Sequence, residues 1–164
     1  MIIIEDTRQQ TGKHDLKHEM FGEQGVELYR CKIPFGDYCL PPKVSIDTKK
    51  DMQEIAGNIC GKEHQRFKKE CVEARKCGCK LYVLVENVNG IKFIDDVHLW
   101  VNPRSIYSPD CVQGDRLERA MKTMSARYGV TFLFCSPEES ADIILKILKE
   151  ESGGENGGKE NRND

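Results

Sequence analysis

Leu81-Tyr82-Val83-Leu84-Val85 is a run of five apolar residues between Lys80 and Glu86. A strand with one wet face alternates apolar and polar residues, so this run reads as a strand buried on both faces of a sheet. Such a strand needs helices above and below it. The flanking sequence offers them. Upstream, Asp51 with Glu54 three residues later resembles a capping pair, predicting a short helix to about Ile59. A longer helix follows from about Lys62 to Lys76, with Phe67, Cys71 and Ala74 on its apolar side. Downstream, Leu117, Ala120, Met121 and Met124 have helical spacing. Thr131 to Phe134 reads as a strand, and Ser136-Pro137-Glu138-Glu139 as a helix start with Ser136 as its cap. The closing helix would bury Ala141, Ile144, Leu145 and Leu148.

The remaining strands are shorter. Ile2-Ile3-Ile4, Val26 to Lys32, Tyr38 to Leu40, Val44 to Asp47 and Val97 to Val101 have strand composition, with a short helix around Asp15 to Phe21 and a Pro41-Pro42 link between the third and fourth strands. The fold class expected is α/β: three layers, with a central mixed sheet covered by helices on both faces. One domain over residues 1–149 suits a chain of 164 residues. Residues 150–164 read as a disordered polar tail, since ESGGENGGKENRND (151–164) has no apolar residue to offset its ordering entropy.

Composition narrows the function classes. No apolar run approaches the roughly 20 residues of a membrane span, and Met1-Ile2-Ile3-Ile4 meets Glu5 and Asp6 at once, unlike an export signal. An intracellular protein, not secreted and with no membrane partner, is expected, with its eight cysteines reduced. A zinc site drawn from Cys60, His64, Cys71, Cys77 and Cys79 is the alternative use of those thiols, although the Cys77-Gly78-Cys79 spacing is tighter than zinc knuckles use. The formal net charge is -2, but Lys62, Arg66, Lys68, Lys69, Arg75, Lys76 and Lys80 outnumber Glu63, Glu70 and Glu73 within residues 60–80. Lys62, Arg66, Lys69 and Lys76 fall at helical spacing. That stripe either faces a phosphate backbone or is a solvated helix face laced with ion pairs.

Chemistry centres on Asp37 and on Asp47-Thr48-Lys49. Alternate side chains of a strand point the same way, so Asp47 and Lys49 would project into one site. An acid after a turn, followed by acid-x-Lys on a strand, suits phosphodiester hydrolysis: carboxylates hold Mg2+ while a lysine orients or deprotonates the attacking water and stabilises developing charge. The spacing alone also fits an ordinary surface hairpin with salt bridges.

The surrounding residues resemble the nuclease domain of the XPF family of structure-specific endonucleases, a branch of the restriction-endonuclease-like PD-(D/E)xK superfamily. That domain opens with a strand ending in D-T-R-E, continues to G-D-Y, then E-R-K and a helix, then an arginine-containing helix before a strand ending in Glu. Here the order is Ile3-Ile4-Glu5-Asp6-Thr7-Arg8-Gln9, Phe35-Gly36-Asp37-Tyr38, Ile46-Asp47-Thr48-Lys49, Gln65-Arg66-Phe67 and Leu84-Val85-Glu86. The resemblance covers about residues 2–148. It implies a metal-dependent DNA endonuclease, with Asp37, Asp47 and Lys49 catalytic, Asp6, Asp37 and Asp47 binding Mg2+ (or Mn2+), and Arg66 contacting phosphate. Lys62, Lys69 and Arg8 join Arg66 as expected DNA contacts. Glu86 and Thr48 are expected beside the metal site, Glu86 either as a ligand or as support for one. For His64 a second base or DNA contact stands against a cap or surface residue, and for Phe93 and Trp100 base stacking stands against core packing or a partner interface.

Three departures mark this chain. Thr48 replaces the arginine of E-R-K, Gln53 stands where the family often has another acid, and the Arg66 helix begins later, as if residues 61–64 were inserted. They bear on substrate preference. The family's appended DNA-binding module has no counterpart in these residues, so modest, salt-sensitive DNA affinity and help from a homodimer or separate DNA-binding partner are expected. Met121, Met124 and the Ile144 to Leu148 stripe either serve pairing or fill the core. A non-catalytic DNA-binding or assembly subunit is the alternative function.

Overall fold

The computed structural model describes residues 1–10, 12–40 and 44–153. Six strands form one sheet in the order β2-β1-β3-β4-β5-β6. These are β1 (Ile2–Asp6), β2 (Glu27–Cys31), β3 (Tyr38–Leu40), β4 (Val44–Lys49), β5 (Lys80–Glu86) and β6 (Thr131–Cys135). The sheet is mixed: β1 pairs β2 in parallel, β3 runs antiparallel to both β1 and β4, and β4, β5 and β6 are parallel. Among the described residues the α-helices are α1 (Asp15–Glu23), α2 (Met52–Cys60), α3 (His64–Lys76), α4 (Gly114–Tyr128) and α5 (Ser140–Gly153).

Strand periodicity sorts the core into two faces. Val83 and Val85 of β5 join Met52, Ile55, Phe67, Cys71, Leu117 and Met121, the apolar sides of α2, α3 and α4. Leu84, between those two valines, points the other way with Val44 and Ile46 of β4, onto Phe21 of α1 and Ile144, Leu145 and Leu148 of α5. The expected three layers are present. α2 starts as the sequence indicates, with Asp51 accepting a 2.7 Å hydrogen bond from the Glu54 backbone N–H.

Several expectations are corrected. Val97 to Val101 is not a strand: residues Ile94–Leu99 form a 3-10 helix, with Val97 and Trp100 buried three residues apart and Leu99 and Val101 exposed. Ser136 does not cap α5. Its N–H donates to Glu139 at 2.9 Å across a turn, and the helix starts at Ser140. The helix also continues past residue 149, and Glu151 accepts from Lys80 at 2.7 Å and from Tyr82 Oη at 2.7 Å. The remainder of the tail, from residue 154, and the Pro41-Pro42 link lie outside the described residues. Met121, Met124, Ile144, Leu145 and Leu148 are all buried in this chain's own core. They cannot serve as a pairing surface without unpacking it.

One backbone feature places the chemistry. Gly36 sits at φ 78°, and a Cβ there would collide with Ser45 Oγ and approach Ile46 O to 3.0 Å. The close approach lets the Asp37 N–H donate to Ile46 O at 2.7 Å, while the Asp37 carbonyl accepts from the Asp6 N–H at 2.8 Å. Gly36→Ala is expected to cost about 2–4 kcal/mol from the left-handed backbone and the clash, measured as a lowered urea midpoint with an unchanged slope.

Candidate active site

Asp47 and Lys49 lie on β4 opposite Val83 and Val85 of β5, so both point toward the α2/α3 side. Thr48 has the reverse strand parity, yet its backbone N–H and Oγ1 both donate to Asp37 Oδ2, at 2.7 and 2.6 Å. β4 thus presents Asp47 and Lys49 directly and grips Asp37 through Thr48. Asp6, at the end of β1, is joined to Asp37 through the backbone. Asp6, Asp37, Asp47, Thr48, Lys49 and Arg66 all line one open cavity of about 590 Å³.

Electrostatics at this cavity follow from burial. The Asp47 carboxyl is pushed up to about 6 because burial penalises its charge; Lys49 opposes that shift and the Asp37 carboxylate adds to it. Burial also raises Asp37, while the two Thr48 hydrogen bonds, then Lys49 and Lys13, pull it back. For Lys49 burial disfavours the ammonium, but Asp47, with Oδ2 at 2.7 Å, together with Asp37 and Glu54 outweighs it, and the group is held above its ordinary value. Lys49 and Asp47 thus form an ion pair between two buried side chains. Lys49 Nζ also lies 5.5 Å from the Phe67 ring centroid.

Two carboxylates that resist ionisation side by side are a donor set that a hard divalent cation would relieve. Mg2+ keeps several waters and needs only one or two protein carboxylates. Asp37 and Asp47 fit that requirement. Asp6 fits less well, because the cationic Arg8 guanidinium, with Nε 2.5 Å from its Oδ2, already offsets its charge, whereas the donors on Asp37 are neutral. Among the described residues no group of three or more Asp, Glu, His or Cys side chains converges as a metal cage. The residues considered for zinc lie apart: Cys71 is in the core, Cys77 is exposed, and His64 Nδ1 is 2.6 Å from the Ile59 carbonyl oxygen.

The other expected site residues separate clearly. Glu86 is not at the cavity. It shares strand parity with Leu84, points to the α1/α5 side, pairs with Lys17 and accepts from Ser140 Oγ at 2.9 Å. Arg8 braces Asp6 and donates to the Ile33 carbonyl at 2.8 Å. Arg66 reaches the cavity rim, held by Glu63 at 3.1 Å and Glu70 at 2.8 Å. Lys62 and Lys69 are exposed and do not line the cavity. Trp100 packs in the core, and Phe93 is exposed away from the cavity.

Gln9, Gln10, Lys13, Lys50, Glu54 and Glu70 also line the cavity, and the sequence gives none of them a place at the site. Glu70 sits four residues after Arg66, one helical turn on, and pairs with it at 2.8 Å. Its carboxyl is raised, first by burial and then by Asp47, so it belongs to the same electrostatic unit.

Comparison with known proteins gives the fold and the family. The ERCC4 domain model matches residues 5–147. The chain is similar to the solved structure of XPF from Aeropyrum pernix, with TM-score 0.68 and 15% identity over 99% of this chain and 68% of that one. It is also similar to the same archaeal XPF in complex with DNA, with TM-score 0.66 and 15% identity over 93% and 66% of the two chains. No curated protein matches it in sequence. Identity this low carries the fold, whereas the family match spans β1 through α5, including the elements that bring Asp6, Asp37, Asp47 and Lys49 together. The chain therefore belongs to the ERCC4 domain family.

Proposed function

We propose that this domain is a divalent-metal-dependent endonuclease that hydrolyses phosphodiester bonds in DNA. The observation that carries the reading is the convergence of Asp37, Asp47 and the Lys49 ammonium on one open cavity with Arg66 at its rim. A bound Mg2+ or Mn2+ would supply an acidified water and spread charge on the scissile phosphate. Asp37 and Asp47 would hold it, Asp37 in the rotamer fixed by Thr48.

Lys49 carries its charge at neutral pH, which makes it a poor base and a good donor. Its role is to orient the attacking water and stabilise negative charge on the phosphate oxygens. Arg66 is a half-exposed cation whose acids at positions 63 and 70 must share it with an incoming phosphate. Arg8, Lys13, Lys49, Lys50 and Arg66 line the cavity, but Arg8, Lys13, Lys49 and Arg66 are each already paired with an acid, and Lys62 and Lys69 lie outside it. DNA affinity is correspondingly modest, and a second copy or a separate DNA-binding partner adds contacts. Branched or flap DNA is the substrate class proposed, supported by the family alone.

Incubation with flap, fork and plain duplex DNA in Mg2+, Mn2+ or EDTA tests the reading. Metal-dependent cutting that favours the branched substrates is expected. Arg66→Ala should weaken substrate binding several-fold and reduce its salt dependence by about one phosphate contact. No cutting of any substrate under any metal would favour the non-catalytic subunit instead, and preferential cutting of plain duplex would move the domain toward restriction-like nucleases.

A further inference from the structure

Gln9 is half-buried in the turn after β1, and its side-chain amide is held at both ends. Its Nε2 donates to Asp37 Oδ1, and its Oε1 lies 2.5 Å from His14 Nε2. A carboxylate only accepts, so the amide group must face Asp37 and the carbonyl oxygen must face the imidazole. His14 Nε2 must then carry the proton. His14 is itself fixed: it is 4% exposed and packs edge-on against Tyr38, with ring centroids 5.8 Å apart. Its Nδ1, the acceptor nitrogen of that tautomer, is buried without a hydrogen-bond partner. Burial, then Lys17, Lys13 and His18, disfavours the imidazolium, so the ring stays neutral.

Asp37 consequently receives donors on both oxygens: Thr48 on Oδ2 and Gln9 on Oδ1. Thr48 is part of the strand and fixed by it. Gln9 is on a turn, and a free glutamine side chain would lose rotamer entropy to hold that position. The buried His14 removes that freedom. We propose that Gln9 and His14 form a relay of positioning residues that fixes the Asp37 carboxylate for cation binding. This rests on the reading of Asp37 as a metal ligand. The relay itself is a property of the metal-free protein.

Two readouts separate the relay from the metal reading. The first is solvent exchange of the Gln9 side-chain amide protons, followed by NMR in protein without metal. The second is the dissociation constant for Mn2+ alone, followed by electron paramagnetic resonance. Exchange should be slowed in the wild type and in His14→Gln, which keeps a nitrogen donor near the same place, and should become fast in His14→Leu. Mn2+ affinity should fall roughly tenfold in His14→Leu and in Gln9→Ala, with His14→Gln largely restoring it. The double variant Gln9→Ala with His14→Leu should lose no more than either single one, because both break the same chain.

Equal exchange in wild type and His14→Leu would overturn the relay. So would equal impairment in His14→Leu and His14→Gln, which would make His14 a packing residue. Should His14→Leu fail to fold, Gln9→Ala, on a surface turn, still decides the matter: unchanged Mn2+ affinity in it overturns the proposal. Wild-type protein that binds no Mn2+ would sink the metal reading, while the exchange comparison would still confirm or overturn the relay.

Discussion

Lys49→Ala is expected to lower the rate of metal-dependent DNA cleavage by about 10²–10⁴-fold while leaving Mn2+ affinity within a few-fold of wild type. The expectation follows from where Lys49 sits. It is buried, charged and beside the Asp47 carboxylate, yet it contributes no metal ligand. Removing it takes a donor from the water and a cation from the phosphate, both needed in the transition state more than in the ground state. Single-turnover cleavage with saturating protein separates this from weakened binding. Lys49→Arg should recover only part of the rate, since a planar guanidinium cannot occupy the place of a compact ammonium between Asp47 and the Phe67 ring. A variant that cuts at the wild-type rate would remove Lys49 from the chemistry.

Asp47→Asn bears on stability as well as on cleavage. In metal-free buffer at pH 7.5 it should raise stability by about 2 kcal/mol, or roughly 4–8 °C in melting temperature, while abolishing cleavage. The sign follows from the direction of the shift. The folded-state value of Asp47 lies above its unfolded one, so the folded protein holds the proton more tightly, and the group's contribution is fully present below about 3.8 and is lost as pH rises through about 6. Above that, folding must bury an ionised carboxylate next to Asp37. Asparagine removes that cost. Lys49 keeps Asp37 and Glu54 as neighbouring anions. The gain should shrink as pH falls, to roughly a third of its pH 7.5 value at pH 4.5, and vanish only below about 3.8. Added Mn2+ should reverse the order by stabilising the wild type only, because binding to the folded state alone adds stability by mass action. A variant that is less stable than wild type at pH 7.5 without metal would show that the Lys49 pairing outweighs burial.

Much of this site is legible in the sequence because strand geometry is simple. Period-two alternation is enough to aim Asp47 and Lys49 together. The same rule, carried along β5, would have sent Glu86 to the Leu84 side. The strand-ending Glu of the family motif gives the position along β5 but not the face, and the face decides that Glu86 meets Lys17 and Ser140. Val97 and Trp100 show a different limit: β-branched and aromatic composition suggested a strand, while their three-residue spacing belongs to the tighter 3-10 turn that buries them.

The least legible part of the site is held by loops. Gln9 and His14 are five residues apart with no periodicity between them, and only the tertiary path of the turn brings the amide to Asp37 and the imidazole to the amide. Arg66 was legible as a cation at helical spacing. Its grip by Glu63 and Glu70 could be read as the solvated face it also is. What the sequence does not reveal is that Lys62, one turn away, stays outside the cavity, since that depends on α3 starting at His64.

The claim on which the rest depends is that Asp37 and Asp47 hold a catalytic cation. Anomalous diffraction from crystals soaked in Mn2+ tests it most directly. The account predicts a peak within about 2.0–2.3 Å of one oxygen from each carboxylate, with water filling the remaining positions and Lys49 Nζ outside the coordination sphere. Clear density for both carboxylates with no anomalous peak between them, or a peak bound elsewhere in the chain, would contradict it.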